Sequence, residues 1–321
     1  MTRALVGLVL ALGAMEMALG FSATGRSVSQ LKYSVARVPL RPRRDASTMK
    51  VLVGGGSVKS LLGQKRSQVD ALAAIAPEMS EIALLRFALA FPNVEEAKGA
   101  VKEAMAWRKG AGKGIVEAAS QAVATATAGG SWSNDAVRAA APHATKINEF
   151  ITPKNILSLS TEEGDLLYII RASLINDNRM MSQVSVDQLS EFFAYVKEIH
   201  SIVANTRSEK TGRLCEVIFA NDISGIRSPP NPQFSKALTS SSEQYEKLYP
   251  SLAGPTMILN LPFVLQAFIG LFKPLFPKTV QARLKFERAP VLASLKELTP
   301  LTSDRNTREK FLREIDNLLV R

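Results

Sequence analysis

The sequence is poor in the residues that build disulfides and metal sites, with one cysteine and two histidines among 321 residues. A single cysteine excludes an internal disulfide and a cluster of thiolate ligands. Cys215 opens a strand-like run and is expected to be a buried structural thiol. His143 and His200 show no ligand spacing to each other or to Cys215, so no metal site is predicted. We place His200 on the polar side of a helix over residues 186–206.

Catalytic motifs are also scarce, because the sequence has no G-x-S-x-G nucleophile elbow. Two glycine-rich stretches, residues 54–56 and 110–114, lack the spacing of a phosphate-binding loop. Asp222 ends a predicted strand, where α/β sheets place catalytic groups. The preferred interpretation is that its carboxylate accepts hydrogen bonds from backbone amides of the next turn. The sequence therefore predicts a protein that is not an enzyme, with an α/β enzyme built on Asp222 as the weaker alternative.

The net charge of +11 is concentrated near the N-terminus. Residues 21–50 hold seven basic residues and one acidic residue, which leaves a surplus of +5 for residues 51–321. Such a surplus is compatible with loose attraction to anionic membrane surfaces. No stripe of lysine and arginine with interleaved aromatic residues is present, so nucleic acid is not an expected partner.

The first 50 residues have the composition of two consecutive targeting segments. Residues 1–20 read as a signal peptide, with an apolar run over 4–14 and small residues at 18–20. Residues 21–50 begin with Phe21 and are basic, rich in serine and threonine, and nearly free of acid, which is typical of a transit peptide. This order resembles the bipartite presequence of algae with secondary plastids. It predicts a plastid (chloroplast) protein that arrives through the secretory route, and secretion with a disordered basic tail is the alternative.

The next part of the chain is predicted to be helical. We assign residues 51–66, which contain three consecutive glycines, to a linker and residues 67–150 to a helical N-terminal lobe. Apolar residues recur at helical spacing over 78–90, and Asn93 is a suitable N-cap for a second helix. An alanine-rich stretch over 114–128 and a short helix after Ser133 extend this lobe.

From residue 155 the pattern changes to alternating strands and helices. Strands are predicted over 156–159, 166–171, 216–222, 256–261 and 282–287, with amphipathic helices over 186–206 and 232–249 between them. Alternation of this kind predicts an α/β fold with a mostly parallel sheet covered by helices. A last helix is predicted over 307–320, within a C-terminal segment of residues 301–321.

Residues 263–276, which follow Pro262, are apolar on almost every side. A helix with this composition does not face water on any side. It is also too short to span a bilayer, which needs about 20 residues. The segment therefore covers a core, covers a ligand, or lies at a membrane interface.

Spacing around this segment resembles the lipid-exchange region of the CRAL-TRIO family, which includes the yeast-type phosphatidylinositol transfer proteins and the carriers of retinaldehyde and tocopherol. The residues that match the family pattern in order are Tyr249, Pro250, Gly254, Asn260, Pro262, Lys273, Pro274, Thr279, Val280 and Arg283. Residues 84–110 are similar to the helical lobe that precedes the domain in this family. The resemblance covers these residues and 163–298, about half of the chain.

The resemblance implies a CRAL-TRIO-like lipid-binding domain over residues 151–300, in which the apolar segment is a gate helix. The implied function is binding and intermembrane transfer of a lipid or prenyl-type pigment, with no cofactor besides that bound molecule. Gate and ligand contacts are assigned to Phe263, Val264, Phe268, Leu271, Phe272 and Phe276. Contacts to a headgroup or to membrane phosphates are assigned to Arg283 and Lys273. A monomer with peripheral membrane contact is expected.

Two departures from the family pattern bear on the ligand. Ser251 and Leu252 stand where phosphatidylinositol-binding members have an acidic–basic pair, and residues 88–91 replace a basic run. A phosphoinositide needs several converging cations, so a neutral or weakly anionic ligand is expected instead. The alternative function is a membrane-associated scaffold or regulator with the same fold, a filled pocket and no ligand exchange.

Overall fold

The computed structural model describes residues 56–130, 132–160, 164–226, 230–260, 284–287, 299–300, 306 and 309–313. The two predicted targeting segments and the predicted gate helix lie outside these residues, so they stay predictions. The same holds for Arg283 and for all the gate residues named above.

Six helices make up the described N-terminal region. They are α1 (Val58–Ala73), α2 (Glu81–Ala90), α3 (Val94–Lys109), α4 (Lys113–Thr127), α5 (Asn134–Ala139) and α6 (Ala144–Ile147). Asn93 caps α3 as predicted, with its side-chain oxygen accepting from the Glu96 amide at 2.9 Å. The predicted linker is wrong for residues 58–66, which belong to α1. Ser57 caps this helix, and Leu62, Val69 and Leu72 are buried along one side of it. The prediction missed these residues because the preceding glycines indicated a linker.

The glycine-rich stretch at 110–114 connects α3 to α4. A Cβ atom at Gly112 would lie 2.5 Å from the indole ring of Trp107. Glycine is therefore needed here for the close approach of backbone to the Trp107 ring. The stretch is therefore a tight connection between two helices that packs against Trp107.

A six-stranded sheet follows, in the order β5-β4-β3-β2-β1-β6. The strands are β1 (Ile156–Ser160), β2 (Leu166–Arg171), β3 (Val217–Asp222), β4 (Ala253–Leu259), β5 (Leu284–Glu287) and β6 (Thr299–Pro300). Strands β2 to β5 are parallel to one another, whereas β1 is antiparallel to β2 and to β6. The predicted α/β class with a mostly parallel sheet is confirmed, and each predicted strand overlaps an observed one.

Three further helices join the strands: α7 (Asp177–Met181), α8 (Val186–Thr211) and α9 (Pro232–Leu248). Helix α8 begins with a capping box formed by Ser185 and Gln188 and ends at Gly212, whose φ is 67°. It therefore extends five residues past its predicted end, because no breaker precedes this glycine. Helix α9 begins at Pro232, as predicted, with Asn231 as its N-cap.

The two faces of the sheet pack against different partners. Side chains of Leu166, Tyr168, Val217 and Phe219 face α8 and α9 and belong to the main core; this is the helix-covered face. The opposite side, here the apolar face, carries Leu157, Leu159, Leu167, Ile169, Ile218, Ala220, Met257 and Leu259. Within the described residues, Phe311 and Leu312 pack on this apolar face. Residues 309–313 are helical and Phe311 is buried, which agrees with the predicted C-terminal helix over those residues.

Candidate functional site

A cavity of about 80 Å³ lies on the helix-covered face. It is bounded by α8, by strands β1 and β2, and by residues between α4 and β1. Its walls are mostly apolar and include Val137, Ile156, Phe192, Val196 and Ile199. A water molecule takes about 30 Å³ in the liquid. The space therefore holds a few waters or the small polar end of a larger molecule.

Two hydrogen-bond donors at this cavity have no partner among the residues that the structure describes. They are the indole N–H of Trp132 and the hydroxyl group of Tyr168, and both atoms are buried. Burial raises the pKa of Tyr168, so the phenol stays neutral. A buried donor without a partner costs about 1–3 kcal/mol. Both groups would gain free energy from a molecule that brings a hydrogen-bond acceptor into the cavity.

Ser158 and His200 form a second polar pair at the same cavity, with 2.9 Å between Ser158 Oγ and His200 Nε2. The prediction that His200 lies on the polar side of its helix is wrong, because this side chain is 2% exposed. Helix α8 packs against α4 and α9 as well as the sheet. For this reason polar residues are buried on several sides of α8. A single apolar stripe in the sequence therefore does not predict which of its side chains are buried.

The Ser158–His200 pair is a poor nucleophile–base pair in spite of its short distance. Burial, together with the charge of Lys197, lowers the pKa of His200 to about 3. A general base works best with a pKa near the working pH, and an imidazole with this pKa does not hold the proton of an activated serine. The arrangement suits binding of a ligand better than catalysis.

Two basic side chains lie near the cavity. Arg138 lines it and donates from Nη2 to the Ile151 carbonyl at 2.6 Å and to Asn148 Oδ1 at 3.0 Å. The half-buried Lys197 lies on α8 one turn before His200 and donates to the carbonyl and hydroxyl of Ser241. Burial lowers the pKa of Lys197 to about 7. No Asp or Glu is among the described lining residues, so the cavity favours a polar end that is neutral or negative.

A row of aromatic side chains runs from the cavity to the end of α9. Tyr168 contacts Phe219 at 6.0 Å between ring centroids, Phe219 contacts Tyr245 at 5.9 Å, and Tyr245 contacts Tyr249 at 5.7 Å. The first two contacts are edge-to-face, the geometry that aromatic pairs prefer. This aromatic row fills the space between the sheet and the last turns of α9.

Tyr249, at the end of this row, belongs to a buried junction of three residues that we call the Glu198 junction. Arg108 on α3 donates to both carboxylate oxygens of Glu198 at 2.7 and 2.8 Å, and the Tyr249 hydroxyl donates to Glu198 Oε2 at 2.9 Å. Burial opposes the charge of Arg108, but the hydrogen bond and the charge of Glu198 raise its pKa. The junction joins α3, α8 and the residue that follows α9.

A second buried arginine, Arg86 on α2, holds the turn between α9 and β4. It donates to Asn205 Oδ1 at 2.8 Å, to the Ser251 carbonyl at 2.7 Å and to the Cys215 carbonyl at 2.6 Å. Burial lowers its pKa to about 10. Ser251 has a φ of 53°, which is unusual for a residue with a side chain, and Arg86 stabilises this turn.

Asp222 lies at the carboxyl end of β3, on the apolar face. Its Oδ1 atom accepts from the Ser224 amide at 2.9 Å and from Asn260 Nδ2 at 2.8 Å. Its Oδ2 atom lies 3.6 Å from Arg171 Nε, and the Arg171 guanidinium lies over the Phe311 ring. The preferred interpretation, that this carboxylate holds the following turn, is confirmed.

In the described part of the chain, no group of three or more His, Cys, Asp or Glu side chains could hold a metal ion. No described helix is long and apolar enough to cross a membrane.

Sequence reasoning and structure point to different residues for the site. The predicted gate and headgroup residues lie outside the described ranges. The cavity residues Ser158, Tyr168 and His200 were missed, although the register of β1 and β2 places Ser158 opposite Tyr168. An isolated serine and tyrosine in apolar strands was the only signal in the sequence, and it does not identify a cavity by itself.

The described residues define an α/β domain in which a mostly parallel sheet and its covering helices enclose a small cavity. Residues 152–302 match the CRAL/TRIO domain, so the chain contains a CRAL/TRIO domain over that range. CRAL/TRIO domains generally bind and transfer hydrophobic ligands and are not enzymes. Comparison with curated proteins gives no match.

Proposed function

We propose that this protein carries a hydrophobic ligand, a lipid or a prenyl-type pigment, between membranes without covalent chemistry. In this proposal the polar end of the ligand occupies the cavity and its apolar tail lies beneath residues 263–276. The observation that carries the proposal is the cavity, where two buried donors, on Trp132 and Tyr168, lack a partner among the described residues.

The topology supports a gate on the same face as the cavity. Strands β2, β3, β4 and β5 follow one another in one direction across the sheet, and all four are parallel. Helices α8 and α9, which connect the first three, both pack on the helix-covered face. Crossovers between parallel strands are almost always right-handed. Steps in one direction therefore place their connections on one face, and residues 260–283, between β4 and β5, are expected there too.

The distances across the sheet suit a ligand with a long tail. Neighbouring strands are about 4.8 Å apart, so the cavity beside β2 and a gate above β4 and β5 are separated by about 10–15 Å. Each CH₂ group moved from water into an apolar site contributes about 0.8 kcal/mol. A tail of a dozen such groups therefore supplies about 10 kcal/mol, which is ample for stable loading.

The chemistry of the cavity favours a ligand with a small polar end that accepts hydrogen bonds. Tyr168 and Trp132 offer neutral donors. Among the described lining residues, Arg138 is the one that carries a positive charge. A phosphoinositide carries several negative charges and needs several converging cations. We therefore propose a neutral or weakly anionic ligand. In the same proposal, Lys273 and Arg283 contact membrane phosphates.

Native mass spectrometry and lipid exchange test this function. Purified full chain should retain a lipid or pigment, and Phe268→Asp or Phe272→Asp should abolish exchange of labelled lipids between vesicles, because a charge in the gate opposes contact with the tail. Ile75→Asp is the matched control, since Ile75 is an exposed apolar residue outside the domain, and its exchange rate should stay at the wild-type value.

Each alternative has its own outcome in these experiments. Unchanged exchange in both gate variants would remove residues 263–276 from the mechanism. Membrane binding with no retained molecule would indicate the scaffold function instead. A preference for phosphatidylinositol across a panel of labelled lipids would contradict the proposed ligand class.

A further inference from the structure

The end of α9 stands between the cavity and the expected gate. The aromatic row of Tyr168, Phe219, Tyr245 and Tyr249 fills the space between the sheet and this end of the helix. A tail that extends from the cavity beside β2 towards β4 meets these rings. Tyr245 and Tyr249 belong to the last turn of α9 and to its C-cap. The row can therefore open only if this end of the helix moves away from the sheet.

The Glu198 junction opposes this movement at the C-cap of α9. Tyr249 is 4% exposed and Glu198 is 2% exposed, and the hydroxyl–carboxylate distance between them is 2.9 Å. Arg108 donates to both carboxylate oxygens, at 2.7 Å to Oε1 and 2.8 Å to Oε2, so that the carboxylate cannot follow Tyr249. The outward movement of α9 therefore breaks the Tyr249–Glu198 bond.

The other contacts near this end of α9 are weaker than the Tyr249–Glu198 bond or involve other residues. Lys247 lies 3.9 Å from Glu103, and both side chains are mostly exposed, so this pair contributes little. Lys197 bonds Ser241, which lies nearly two turns before the end of the helix. Its ammonium also lies 5.1 Å from the centroid of the Tyr245 ring, a contact that does not involve the Tyr249 hydroxyl. Arg86 holds Ser251 beyond the helix. Tyr249 thus connects the moving rings directly to the rigid helices α3 and α8.

We infer that the Glu198 junction sets the rate at which the ligand site opens, with Tyr249 and Glu198 acting as positioning residues. This inference rests on the proposed carrier function. A hydrogen bond to a charged group contributes about 1.5–3 kcal/mol. Loss of the Tyr249–Glu198 bond should therefore increase the population with a displaced α9 end about tenfold or more.

Tyr249→Phe is the decisive variant, because it keeps the ring and leaves the Arg108–Glu198 ion pair intact. In the full chain, amide hydrogen exchange over residues 241–252 should accelerate about tenfold. Transfer of pyrene-labelled phosphatidylcholine between phosphatidylcholine vesicles should accelerate by a similar factor. The amount of lipid retained at equilibrium should change little, since no cavity residue is altered.

Ser208→Ala is the matched control. Ser208 is also buried on α8, and its hydroxyl bonds the Ala204 carbonyl and the Cys215 amide, away from α9. This variant should lower stability by a comparable amount and leave the exchange of residues 241–252 and the transfer rate unchanged. If Ser208→Ala accelerates transfer as much as Tyr249→Phe does, the effect is general destabilisation and the inference is wrong.

The remaining outcomes separate this inference from the proposed function. The inference is wrong if amide exchange over residues 241–252 does not accelerate in Tyr249→Phe. It is also wrong if this exchange accelerates while lipid transfer does not. If the wild-type chain neither retains nor transfers lipid, the carrier function fails, and with it the inferred role in ligand exchange. Faster amide exchange in Tyr249→Phe would then show only that the junction holds α9.

Discussion

The two faces of the sheet are built from the same strands and differ in what they bury. The apolar face carries eight aliphatic or small side chains, with Phe311 packed on it. The buried polar side chains at its edge, Asp222 and Arg171, lie 3.6 Å apart as an ion pair. On the helix-covered face, Tyr168 and His200 are buried around the cavity, and the Tyr168 hydroxyl has no partner among the described residues. Apolar contacts stabilise both faces, whereas a buried donor without a partner lowers the stability of the folded state. The comparison therefore supports the helix-covered face as the place of the proposed ligand.

The largest expected effect tests the apolar face. Leu159 on β1 is fully buried there, and Leu159→Ala should lower the free energy of unfolding by about 3 kcal/mol through lost contacts and a new cavity. Urea denaturation measures this loss. Retained lipid in native mass spectrometry should be unchanged at temperatures where the variant is folded. Loss of lipid from the folded variant would move the ligand to the apolar face and reverse the comparison.

A smaller effect is expected from pH, and it tests the polar groups of the helix-covered face. Because burial and the charge of Lys197 lower the pKa of His200 to about 3, the folded state keeps it neutral where the unfolded chain, with an ordinary pKa of about 6.5, takes up a proton. Its contribution is complete above pH 6.5 and is lost as the pH falls towards 3. Between pH 7 and 5.5 the free energy of unfolding should fall by about 1 kcal/mol.

His200→Gln should flatten this pH dependence, since glutamine can still bond Ser158 and does not titrate. The control is His143→Gln, which removes the other histidine of the chain and its partly exposed pair with Glu191. An unchanged slope in His200→Gln would show that this histidine is not held neutral by its surroundings.

The smallest expected effect on stability comes from a change at the cavity. Its sign should be opposite to that of Leu159→Ala on the apolar face. Tyr168→Phe removes a buried hydroxyl that has no partner in the described residues, so the ligand-free protein should gain up to about 1 kcal/mol. The same change removes a donor to the ligand and should weaken binding about fivefold. Thermal unfolding with and without lipid measures both terms. Weaker stability together with unchanged binding would contradict a ligand contact at Tyr168.

Much of the fold follows from local sequence signals. The strand over Leu166–Arg171 matches its predicted range, and the helices starting at Val186 and Pro232 begin at their predicted residues. These elements have strong apolar periodicity and clear N-caps, which depend only on neighbouring residues. The linker assignment failed for residues 58–66 because three glycines outweighed a weak helical pattern.

The site was harder to predict because its residues are far apart in the sequence. Glu198 and His200 lie on one helix and appear as ordinary polar residues, yet they meet Arg108 and Ser158 from distant elements. A sequence pattern of period 3.6 records one buried side of a helix. Helix α8 contacts the three helices α2, α4 and α9, and its His200 contacts strands β1 and β2, so the pattern underestimates how much of it is buried.

By itself, the sequence determined the α/β class, the strand order along the chain and the single buried cysteine, since these depend on local periodicity and composition. It also determined the apolar character of residues 263–276. Only the tertiary structure decided which polar side chains lose contact with water, because burial depends on every element that packs around a residue. The Tyr168 hydroxyl, which lacks a partner within the described ranges, the neutral state of His200 and the Glu198 junction all follow from that packing.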